Sequence, residues 1–567
     1  MNRTAALLIV AIATSSFTVA HAQPARTKPA QRPTAAQLAE RSIAGDSILR
    51  DIRELASDRF LGRSVGTAGE DSATAYISRR YHEIGLEPAG ADGSFIQPVP
   101  LVGTTSRVAA RATIGGRTIT LATLEDVVAW SQHPDSVVNV DSTDVVFVGY
   151  GVVAPEIGWD DFKDVDVRGK TVIMLVGDPP VPDPKDSTKL DPKTFRGVAM
   201  TYYGRWTYKY EIAAARGAAA VLLVHQTAPA GYGWSVVQSN ARERFEVTGG
   251  PAHVAVEGWI QLDAAKRLFA AGGHDFAAIE RQASTRAFRP VALGGTATFH
   301  VQNRVRRINS RNVVARLAGS DAARHDEAVL LSAHWDGFGI GRVISGDSIY
   351  NGALDDASGV AWLLASAKAL RSLPIAPRRT IVFAAFTAEE QGLLGARYYA
   401  QHPVVPLART IGNVNMDAMN PYGRTRTIIS LGYGQSSLED VLVREAAKDQ
   451  RVVKPDAEPE KGYYYRADHL ELARGGVPAL SFLFPGIDYI GRPATYGDSV
   501  RAAYIADDYH KPTDEVKSDW HMDGIVDDTR LTFRVVLDIA NGVVWPTWNA
   551  GSEFRAVREA SLKVKKP

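Results

Sequence analysis

The strongest constraint on the fold is a regular alternation of strand-like and helix-like segments that begins after Asn312. In chain order the segments are AVLLSA, VAWLLASAKAL, RTIVFAAF, GLLGARYYAQ, IGNVNM, SLEDVLVREAAKD and PALSFLF. Because parallel strands need a long crossover connection, usually a helix, this alternation predicts an α/β fold with a doubly wound, mostly parallel sheet. In such sheets, binding sites form beyond the carboxyl ends of the strands.

The chain before this series divides into regions of different composition. Residues 36–104 contain two amphipathic helix patterns, one in SILRDIRELASDRF and one in residues 73–86. Residues 105–299 are rich in Val, Thr and Gly, and runs such as DVVFVGYGVV and KTVIMLV predict strands. We therefore predict a discontinuous domain of residues 36–104 and 300–550, a β-rich domain of residues 105–299 inserted into it, and a C-terminal tail of residues 551–567.

The N-terminus has the features of an export signal. Arg3 precedes an apolar stretch at residues 5–13, and Ala20-His21-Ala22 matches a small-residue cleavage site. We predict a signal peptide of residues 1–22, a Pro-rich linker of residues 23–35, and a periplasmic or extracellular location. The apolar stretch is too short to cross a bilayer, so no membrane span is expected after cleavage; an N-terminal anchor is the alternative.

Composition excludes several classes of partner and site. Lys and Arg number 64 against 63 Asp and Glu, so the net charge of +1 supplies no basic field for nucleic acid, and no nucleic-acid partner is expected. The chain has no Cys, which excludes disulfides, thiolate metal sites and a cysteine nucleophile. Any bound metal must therefore be held by His, Asp and Glu.

Acidic and histidine residues follow the predicted strands of the series. They are His334, Asp336, Asp355, Asp356, Glu389, Glu390, Asp417 and His510. A single acidic residue at such a position is commonly a helix cap, as Asp355 or Asp356 would be before the helix that follows. Because the carboxyl ends of parallel strands meet at one edge of a sheet, the whole series predicts a cluster.

This cluster has the composition of a metal site. Two His and several carboxylates suit Zn²⁺ or a Mn²⁺-like ion, and they suit two ions about 3.5–4 Å apart that share a carboxylate. The two-residue spacing puts His334 and Asp336 on one side of an extended segment, so that Asp336 can accept from the second imidazole nitrogen. Adjacent Glu389 and Glu390 point in different directions, so one can bind metal while the other faces the attacking water.

These segments resemble a known family. The series SAHWD, NGALDDASG, FTAEEQGLLGA, NVNMD and YHKPTDE is similar to the co-catalytic dizinc peptidases of the aminopeptidase Y and glutamate carboxypeptidase type, in clan MH. The segments LASDRFLGRSVGTAGEDSATAYISRRYHEIGLEPAG and YYYRADHLELARGGVPALSF extend the resemblance, although Ala467 stands where the family commonly has Ser. The resemblance implies a zinc-dependent exopeptidase domain of phosphorylase/hydrolase-like fold, with a protease-associated (PA) domain inserted at residues 105–299.

The resemblance also implies roles for single residues. Two Zn²⁺ ions, or other divalent ions such as Mn²⁺ or Co²⁺, would be held by His334, Asp355, Glu390, Asp417 and His510. Glu389 is the implied general base, and Tyr509 is the implied hydrogen-bond donor to the developing oxyanion. Asp336 is assigned to the catalytic group through its position beside His334. Asp468 and His469 are assigned to the pocket or its support.

These assignments predict an exopeptidase acting on peptide substrates, with an aminopeptidase favoured. A carboxypeptidase of the glutamate carboxypeptidase type is the alternative, and it would need a cation such as Arg205, Lys209 or Arg466 to pair the substrate carboxylate. A catalytically silent binding or receptor-like relative is disfavoured because every ligand position is filled. The inserted domain would gate substrate length or mediate dimer contacts, and the oligomeric state stays open, with a dimer as one option.

One further motif favours a different enzyme class. Residues 62–66, GRSVG, match the G-x-S-x-G pattern of serine hydrolases. That nucleophile elbow requires a buried strand directly before it, whereas a charged amphipathic helix precedes this segment. We therefore interpret residues 62–66 as a Gly-rich loop near the mouth of the site.

Overall fold

A computed structural model describes residues 32–239 and 242–563 of the chain. The predicted signal peptide at residues 1–22, most of the predicted linker and the last four residues of the predicted tail lie outside the described residues. Within the described ranges, no helix combines the length and the apolar character that a bilayer crossing requires.

The helices lie mainly in the two predicted helical parts of the chain. Their bounds are α1 (Ala35–Arg41), α2 (Gly45–Leu55), α3 (Ala68–Ile84), α4 (Trp206–Ala215), α5 (Thr227–Ala230), α6 (Trp234–Ser239), α7 (Leu262–Ala271), α8 (Phe276–Ala283), α9 (Ser358–Arg371), α10 (Leu394–Gln401), α11 (Leu438–Ala447), α12 (His469–Arg474), α13 (Tyr496–Asp507), α14 (Met522–Asn541) and α15 (Arg555–Lys563). A left-handed Gly85 ends α3, a conformation that glycine adopts without steric cost.

Most of the strands form one large mixed sheet. The strand bounds are β1 (Glu87–Pro88), β2 (Ile96–Ile114), β3 (Arg117–Leu121), β4 (Val127–Trp130), β5 (Val137–Phe147), β6 (Val153–Ala154), β7 (Trp159–Asp160), β8 (Thr171–Leu175), β9 (Pro182–Asp183), β10 (Asp186–Leu190), β11 (Ala220–His225), β12 (Arg244–Val247), β13 (Val256–Gln261), β14 (Val291–Leu317), β15 (Ala328–His334), β16 (Gly339–Ile344), β17 (Asp347–Tyr350), β18 (Thr380–Phe386), β19 (Thr410–Met416), β20 (Thr427–Ser430), β21 (Val452–Pro455) and β22 (Ala479–Phe482). The path through the large sheet is β22-β19-β15-β18-β14-β5-β8-β11-β13-β4.

The part of the sheet after residue 312 is parallel, as the alternation predicts. Strands β22, β19, β15 and β18 pair with one another in parallel, and each is fully buried. The chain passes from β15 through α9 to β18 on one side, and then through α10 to β19 on the other side of β15. The carboxyl end of β15 is therefore a point where the strand order reverses, the place where α/β sheets form binding crevices.

Helices cover both faces of this parallel part. On one face, α2, α3, α9, α11 and α14 bury a core that includes Trp362, Phe383 and Leu531. On the other face, α10 and α12 bury Tyr399 and Leu472 against the same strands. This confirms the predicted α/β class, although the sheet as a whole is mixed because β14 and its partners run antiparallel.

The 105–299 region continues the same sheet. Its strands β5, β8, β11 and β13 are parallel neighbours, with apolar cores on both faces. The long strands β2 and β14 pair with each other along their length, from Ile96 opposite Val313 to Ile114 opposite Gly295. The predicted boundaries at residues 104–105 and 299–300 fall inside this two-stranded ribbon, so the region joins the rest through continuous strands and not through flexible linkers.

Candidate metal centre

Three adjacent parallel strands bring predicted site residues to one edge of the sheet. His334 is the last residue of β15, and Asp417 directly follows its neighbour β19. Glu389 and Glu390 lie three and four residues beyond the end of β18, the neighbour on the other side. Because neighbouring strands are only about 4.8 Å apart, these side chains meet at the carboxyl end of β15.

The other two predicted ligands come from segments that fold over this edge. Asp355 lies in the turn of residues 353–357 that leads into α9. The carboxylate of Asp514 holds this turn, accepting from the backbone N–H of Leu354 at 3.0 Å and of Asp355 at 3.1 Å. His510 follows α13 in the left-handed backbone region, with φ of 58°.

One group of three ligand atoms centres on His334. Its Nε2 lies 3.2 Å from Asp355 Oδ1 and 3.7 Å from Asp417 Oδ1, and the side chain is only 1% exposed. The three ligand atoms of His334, Asp355 and Asp417 all lie within 4.8 Å of one another. A neutral imidazole and two carboxylates at this spacing can hold one divalent ion.

A second group centres on His510 and shares Asp355. His510 Nε2 lies 3.3 Å from Asp355 Oδ2 and 3.4 Å from Glu390 Oε2. The ligand atoms of Asp355, Glu390 and His510 also lie within 4.8 Å of one another. The two oxygens of Asp355 thus face the two imidazoles separately, which is the geometry of a carboxylate between two metal positions.

The backbone sets the orientation of His334. Its Nδ1 lies 3.2 Å from the backbone carbonyl oxygen of Asp336, which can only accept, so Nδ1 carries the hydrogen. This leaves the lone pair of Nε2 free, and Nε2 is a buried atom with no hydrogen-bond partner in the described structure. A buried nitrogen with an unused lone pair, facing carboxylates, fits a metal ligand.

The carboxylate of Asp336 has a different position from the one predicted. Its Oδ1 is 3.7 Å from His334 Nδ1, too far for a hydrogen bond, and the backbone carbonyl takes that place. Asp336 Oδ1 instead accepts from the backbone N–H of Glu389 at 3.0 Å. The expected hydrogen bond from His334 to the Asp336 carboxylate is therefore wrong, because the extended segment brings the Asp336 carbonyl closer to Nδ1.

Asp356 ties three segments of the site together. It follows Asp355 across a cis peptide bond and is fully buried. Its Oδ1 accepts from the backbone N–H of Gly359 at 2.7 Å and of Ala418 at 3.1 Å. Its Oδ2 accepts from the backbone N–H of His334 at 3.2 Å. This carboxylate is thus used in hydrogen bonds within the protein and lies outside both ligand groups.

The cluster concentrates negative charge in a buried place. Burial raises the pKa of Glu390 well above its usual value, and the carboxylate of Asp355 raises it further. Burial and the neighbouring carboxylates of Asp417, Glu390 and Asp468 likewise raise the pKa of Glu389. Carboxylates this close repel one another unless a cation offsets them. Divalent ions in the two groups would supply that charge, so the donor set fits a pair of metal ions.

Two predicted catalytic side chains border the ligand groups without belonging to them. Glu389 Oε2 is 3.9 Å from His334 Nε2, and the side chain is 10% exposed. The Tyr509 ring stacks on the ring of His510 with centroids 3.7 Å apart. Burial and the carboxylate of Asp355 raise the pKa of Tyr509, so its hydroxyl stays protonated and can donate.

The assigned support residues are both buried. Asp468 is 1% exposed, and its charge contributes to the raised pKa of Glu389. His469 is fully buried against the ring of Tyr464, and burial lowers its pKa to about 3. A neutral imidazole packed on an aromatic ring is a core residue, so His469 does not extend the ligand set.

Sequence reasoning missed Arg63, which lies in the GRSVG segment. Its guanidinium is buried, with the residue only 1% exposed, and it donates to backbone carbonyls of three segments. The acceptors are Trp335 O at 2.8 Å, Leu55 O at 2.9 Å, Asn351 O at 2.5 Å and Gly352 O at 2.9 Å. Trp335 stands between His334 and Asp336, so Arg63 braces a ligand-bearing segment. The motif itself was visible in the sequence, but the burial of its arginine was not.

Comparison with known proteins finds a peptidase family that matches the part of the chain carrying both ligand groups. Residues 312–533 match the model of peptidase family M28. A probable zinc metalloprotease from Pyrenophora teres f. teres (strain 0-1) is 43% identical over 95 residues, which make up 17% of this chain and 19% of that protein. Carboxypeptidase Q from Mus musculus is 36% identical over 95 residues, 17% of this chain and 18% of that protein. The chain thus spans about a fifth of the length of these curated relatives.

A solved structure extends the likeness to nearly the whole chain. An aminopeptidase from Aneurinibacillus sp. strain AM-1 superposes with a TM-score of 0.50 at 17% identity, covering 90% of this chain and 99% of that one. At this identity the likeness shows a shared mixed α/β fold with a large central sheet. Both ligand groups lie within residues 312–533, the part of the chain that matches the model of peptidase family M28.

Proposed function

We propose that the protein is an exported zinc-dependent exopeptidase, with aminopeptidase activity favoured. Two Zn²⁺ ions would be held by His334, Asp355, Glu390, Asp417 and His510. The observation that carries the proposal is the position of Asp355, whose Oδ1 faces one imidazole and whose Oδ2 faces the other. A carboxylate shared by two ligand groups is the arrangement that two co-catalytic ions require. The predicted signal peptide at residues 1–22 supports export.

The chain's own residues supply proton transfer. When bound, the two ions provide Lewis-acid polarisation of the scissile carbonyl and lower the pKa of a nearby water. Glu389 lies beside both ligand groups but belongs to neither, so its carboxylate is free to act as a general base. It takes a proton from the attacking water and returns that proton to the leaving amine. The hydrogen bond from its backbone N–H to Asp336 holds the loop in place during this transfer.

Tyr509 supplies a donor for the carbonyl oxygen. Its ring is held against His510, beside the group formed by Asp355, Glu390 and His510. A hydroxyl fixed in this place can donate a hydrogen bond as negative charge develops on the scissile carbonyl oxygen. The stacking keeps the ring in one orientation, so little reorganisation is needed when the substrate reacts.

The comparisons give two candidates for the end of the peptide at which the enzyme cleaves. The aminopeptidase from Aneurinibacillus matches over 90% of this chain, which favours an aminopeptidase. Carboxypeptidase Q matches over 17% of this chain, and this keeps a carboxypeptidase as the second candidate. Peptides that are blocked at one end show which terminal peptide bond is hydrolysed.

The proposal is tested by metal content together with peptide hydrolysis. Wild type and Glu389→Gln are each analysed for zinc and assayed on peptides with a free N-terminus and on the same peptides with a blocked N-terminus. We expect about two zinc equivalents in both proteins. Glu389→Gln should lower kcat by roughly 10²- to 10⁴-fold, because a general base contributes about that much.

A matched variant shows whether replacing any buried glutamate with glutamine is enough to lower the activity. Glu439→Gln changes a buried glutamate of α11, which lies outside both ligand groups, and should keep wild-type activity. Hydrolysis of only free-N-terminus peptides would establish an aminopeptidase, and hydrolysis of N-blocked peptides a carboxypeptidase. A protein without zinc that cleaves neither set would leave a binding relative as the better account.

We also propose that residues 105–299 are a PA-type domain acting on substrate access. A contact between this region and the rest of the chain supports the proposal. The backbone N–H of Met200 donates to Pro459 O at 3.0 Å, and Pro459 lies close in sequence to Asp468, which is assigned to the pocket or its support. Shortening the region and comparing cleavage of short and long peptides tests it. Unchanged rates for both lengths would exclude a gating role.

A further inference from the structure

The two imidazoles of the metal centre are held in different ways. The side chain of His334 is 1% exposed, and its Nδ1 lies 3.2 Å from the carbonyl oxygen of Asp336. His510 lies in the loop after α13, and its side chain is 36% exposed. Among the described residues, the polar contacts of its ring are those of Nε2 with the carboxylates of Asp355 and Glu390. A hydrogen bond from the second ring nitrogen usually orients a metal-binding histidine, so other contacts must orient His510.

Aromatic rings supply these contacts. The ring of Tyr509 stacks on the imidazole of His510, with centroids 3.7 Å apart and an angle of 28° between the planes. The ring of Phe338 contacts the same imidazole, with centroids 4.4 Å apart and an angle of 51°. Tyr509 precedes His510 in the chain and belongs to the same loop. Phe338 is therefore the ring that ties His510 to a different segment of the protein.

Phe338 belongs to the surroundings of the second ligand group. It lines one cavity together with Asp355, Glu390 and His510, the three members of that group. It also follows His334 in the segment after β15. The contact between Phe338 and His510 thus joins the segment that carries one imidazole to the loop that carries the other.

The backbone that carries Phe338 is fixed by the Gly-rich loop of residues 62–66. The backbone N–H of Gly337 donates to Arg63 O at 3.3 Å. A side-chain carbon on Gly62 would lie 2.6 Å from Gly339 O, which is closer than atoms can pack. Glycine allows this close approach of two backbones. The loop therefore holds the segment on both sides of Phe338, so the ring is a fixed surface for His510.

Contacts between histidine and aromatic rings are not by themselves evidence of a role. His225, in the 105–299 region, also contacts the rings of Tyr232 and Trp259, each at 6.0 Å. Its Nε2, however, lies 3.0 Å from the carbonyl oxygen of Tyr232, which fixes the ring. The Phe338 contact differs because it is made with a predicted metal ligand whose ring has no such hydrogen bond among the described residues.

The 105–299 region reaches Phe338 through Arg242. This arginine lies between α6 and β12, and its guanidinium carbon lies 4.7 Å from the centre of the Phe338 ring. A guanidinium over an aromatic ring is attracted by the electrons of the ring. Phe338 therefore contacts a cation of the 105–299 region and the imidazole of His510.

We propose that Phe338 is a positioning residue for His510, and that Arg242 strengthens this support from the 105–299 region. The inference rests on the proposed two-zinc function. His510 can bind an ion only while its Nε2 faces the carboxylates of Asp355 and Glu390. The ring of Phe338 limits rotation of the imidazole away from them, in the way that a hydrogen bond does for His334.

The test measures zinc affinity and needs no activity assay. The metal-free protein is titrated with Zn²⁺ in competition with a chelator of known affinity, and a dissociation constant is obtained for each of the two zinc equivalents. Phe338→Leu removes the ring and keeps an apolar side chain. It should weaken one equivalent by about 10- to 100-fold, the effect of residues that support metal ligands, and leave the other unchanged. Phe338→Tyr keeps the ring and should retain the wild-type affinities.

Two further variants assign the weakened equivalent. His510→Ala should remove one zinc equivalent, and adding Phe338→Leu to it should leave the affinity of the remaining equivalent unchanged. Tyr398→Leu is the matched control, because the ring of Tyr398 stacks on His402 at 4.3 Å and neither residue belongs to a ligand group. This control should bind both equivalents like wild type.

Arg242→Met tests the contribution of the 105–299 region. It should weaken the same equivalent by about 2- to 5-fold, which corresponds to one cation–π contact at a site open to solvent. In the Phe338→Leu background, Arg242→Met should have no further effect, since the ring that it contacts is gone. Wild-type zinc affinity in Arg242→Met would overturn this link.

The failures of the two proposals can be told apart. Unchanged zinc affinity in Phe338→Leu overturns the positioning role. An equal loss of both equivalents also overturns it, because Phe338 would then support the whole segment after β15. A wild-type protein that binds fewer than two zinc equivalents overturns the two-zinc function, and this inference with it. Two tight equivalents in both wild type and Phe338→Leu would sustain the two-zinc function and reject the role of Phe338.

Discussion

Replacing Arg63 with Met tests whether a buried arginine braces the metal centre. Methionine keeps much of the apolar volume and removes all five N–H donors. Four backbone carbonyls, of Leu55, Trp335, Asn351 and Gly352, would lose their charged donor. If each orphaned carbonyl costs about 1 kcal/mol, the free energy of unfolding falls by roughly 3–5 kcal/mol, the range found when buried charged networks are broken.

The same change should weaken metal binding. Trp335 lies between two site residues, and Gly352 lies three residues before Asp355, so losing the brace frees both ligand-bearing segments. Residues that support metal ligands typically change metal affinity by about 10- to 100-fold, and we expect a loss of this size for zinc. Chelator competition measures the affinity, and urea unfolding followed by circular dichroism measures the stability.

Two further variants show what part of the arginine matters. Arg63→Lys keeps the charge but replaces the planar fork with one ammonium, so it should recover only part of both losses. Arg168→Met removes an exposed arginine that pairs with Asp166, and should change the unfolding free energy by less than about 0.5 kcal/mol. If Arg63→Met binds zinc like wild type and unfolds within that margin of it, the bracing argument is refuted.

Two predictions concern ion networks away from the metal centre. Burial lowers the pKa of His253, but hydrogen bonds to Glu246 and Glu257 outweigh this and raise it to about 10, above the ordinary value of 6.5. The stabilisation from these hydrogen bonds is therefore fully present below pH 6.5 and is lost as the pH rises through about 10. His253→Gln should lower the free energy of unfolding by roughly 2–4 kcal/mol at pH 6 and by much less above pH 10. A flat difference in urea unfolding between these pH values would contradict the reasoning. Arg451→Met leaves the buried carboxylate of Asp528 without its partner at 2.6 Å, and should lower the unfolding free energy by roughly 3–5 kcal/mol; thermal unfolding unchanged from wild type would show that the pair contributes nothing.

Much of the fold after residue 312 is predictable from local patterns. The run AVLLSA predicts a strand that the structure places at Ala328–His334, and VAWLLASAKAL predicts a helix found at Ser358–Arg371. These elements follow from the length and apolar character of short segments, which need no distant contacts to be recognised. The mixed character of the whole sheet was not predictable, because it depends on the pairing of β14 with strands far away in the chain.

In the candidate site, too, the positions of residues along the chain could be predicted, whereas the contacts of single atoms could not. The strand-end positions of His334, Glu390 and Asp417 are visible in the sequence, and the parallel sheet brings them together. The role of Asp336 is not visible, since a difference of about half an ångström decides whether His334 Nδ1 contacts its carbonyl or its carboxylate. Such a distance depends on backbone torsions that residue spacing does not specify.

The sequence by itself determined the α/β alternation, the absence of thiolate chemistry and the order of His and carboxylate residues along the strand ends. Only the tertiary structure decided that Asp355 faces two imidazoles and that Arg63 braces a ligand-bearing segment. The physical reason is that periodicity reports which face of a local segment is buried, whereas burial and pairing of a charged side chain depend on segments that are hundreds of residues apart.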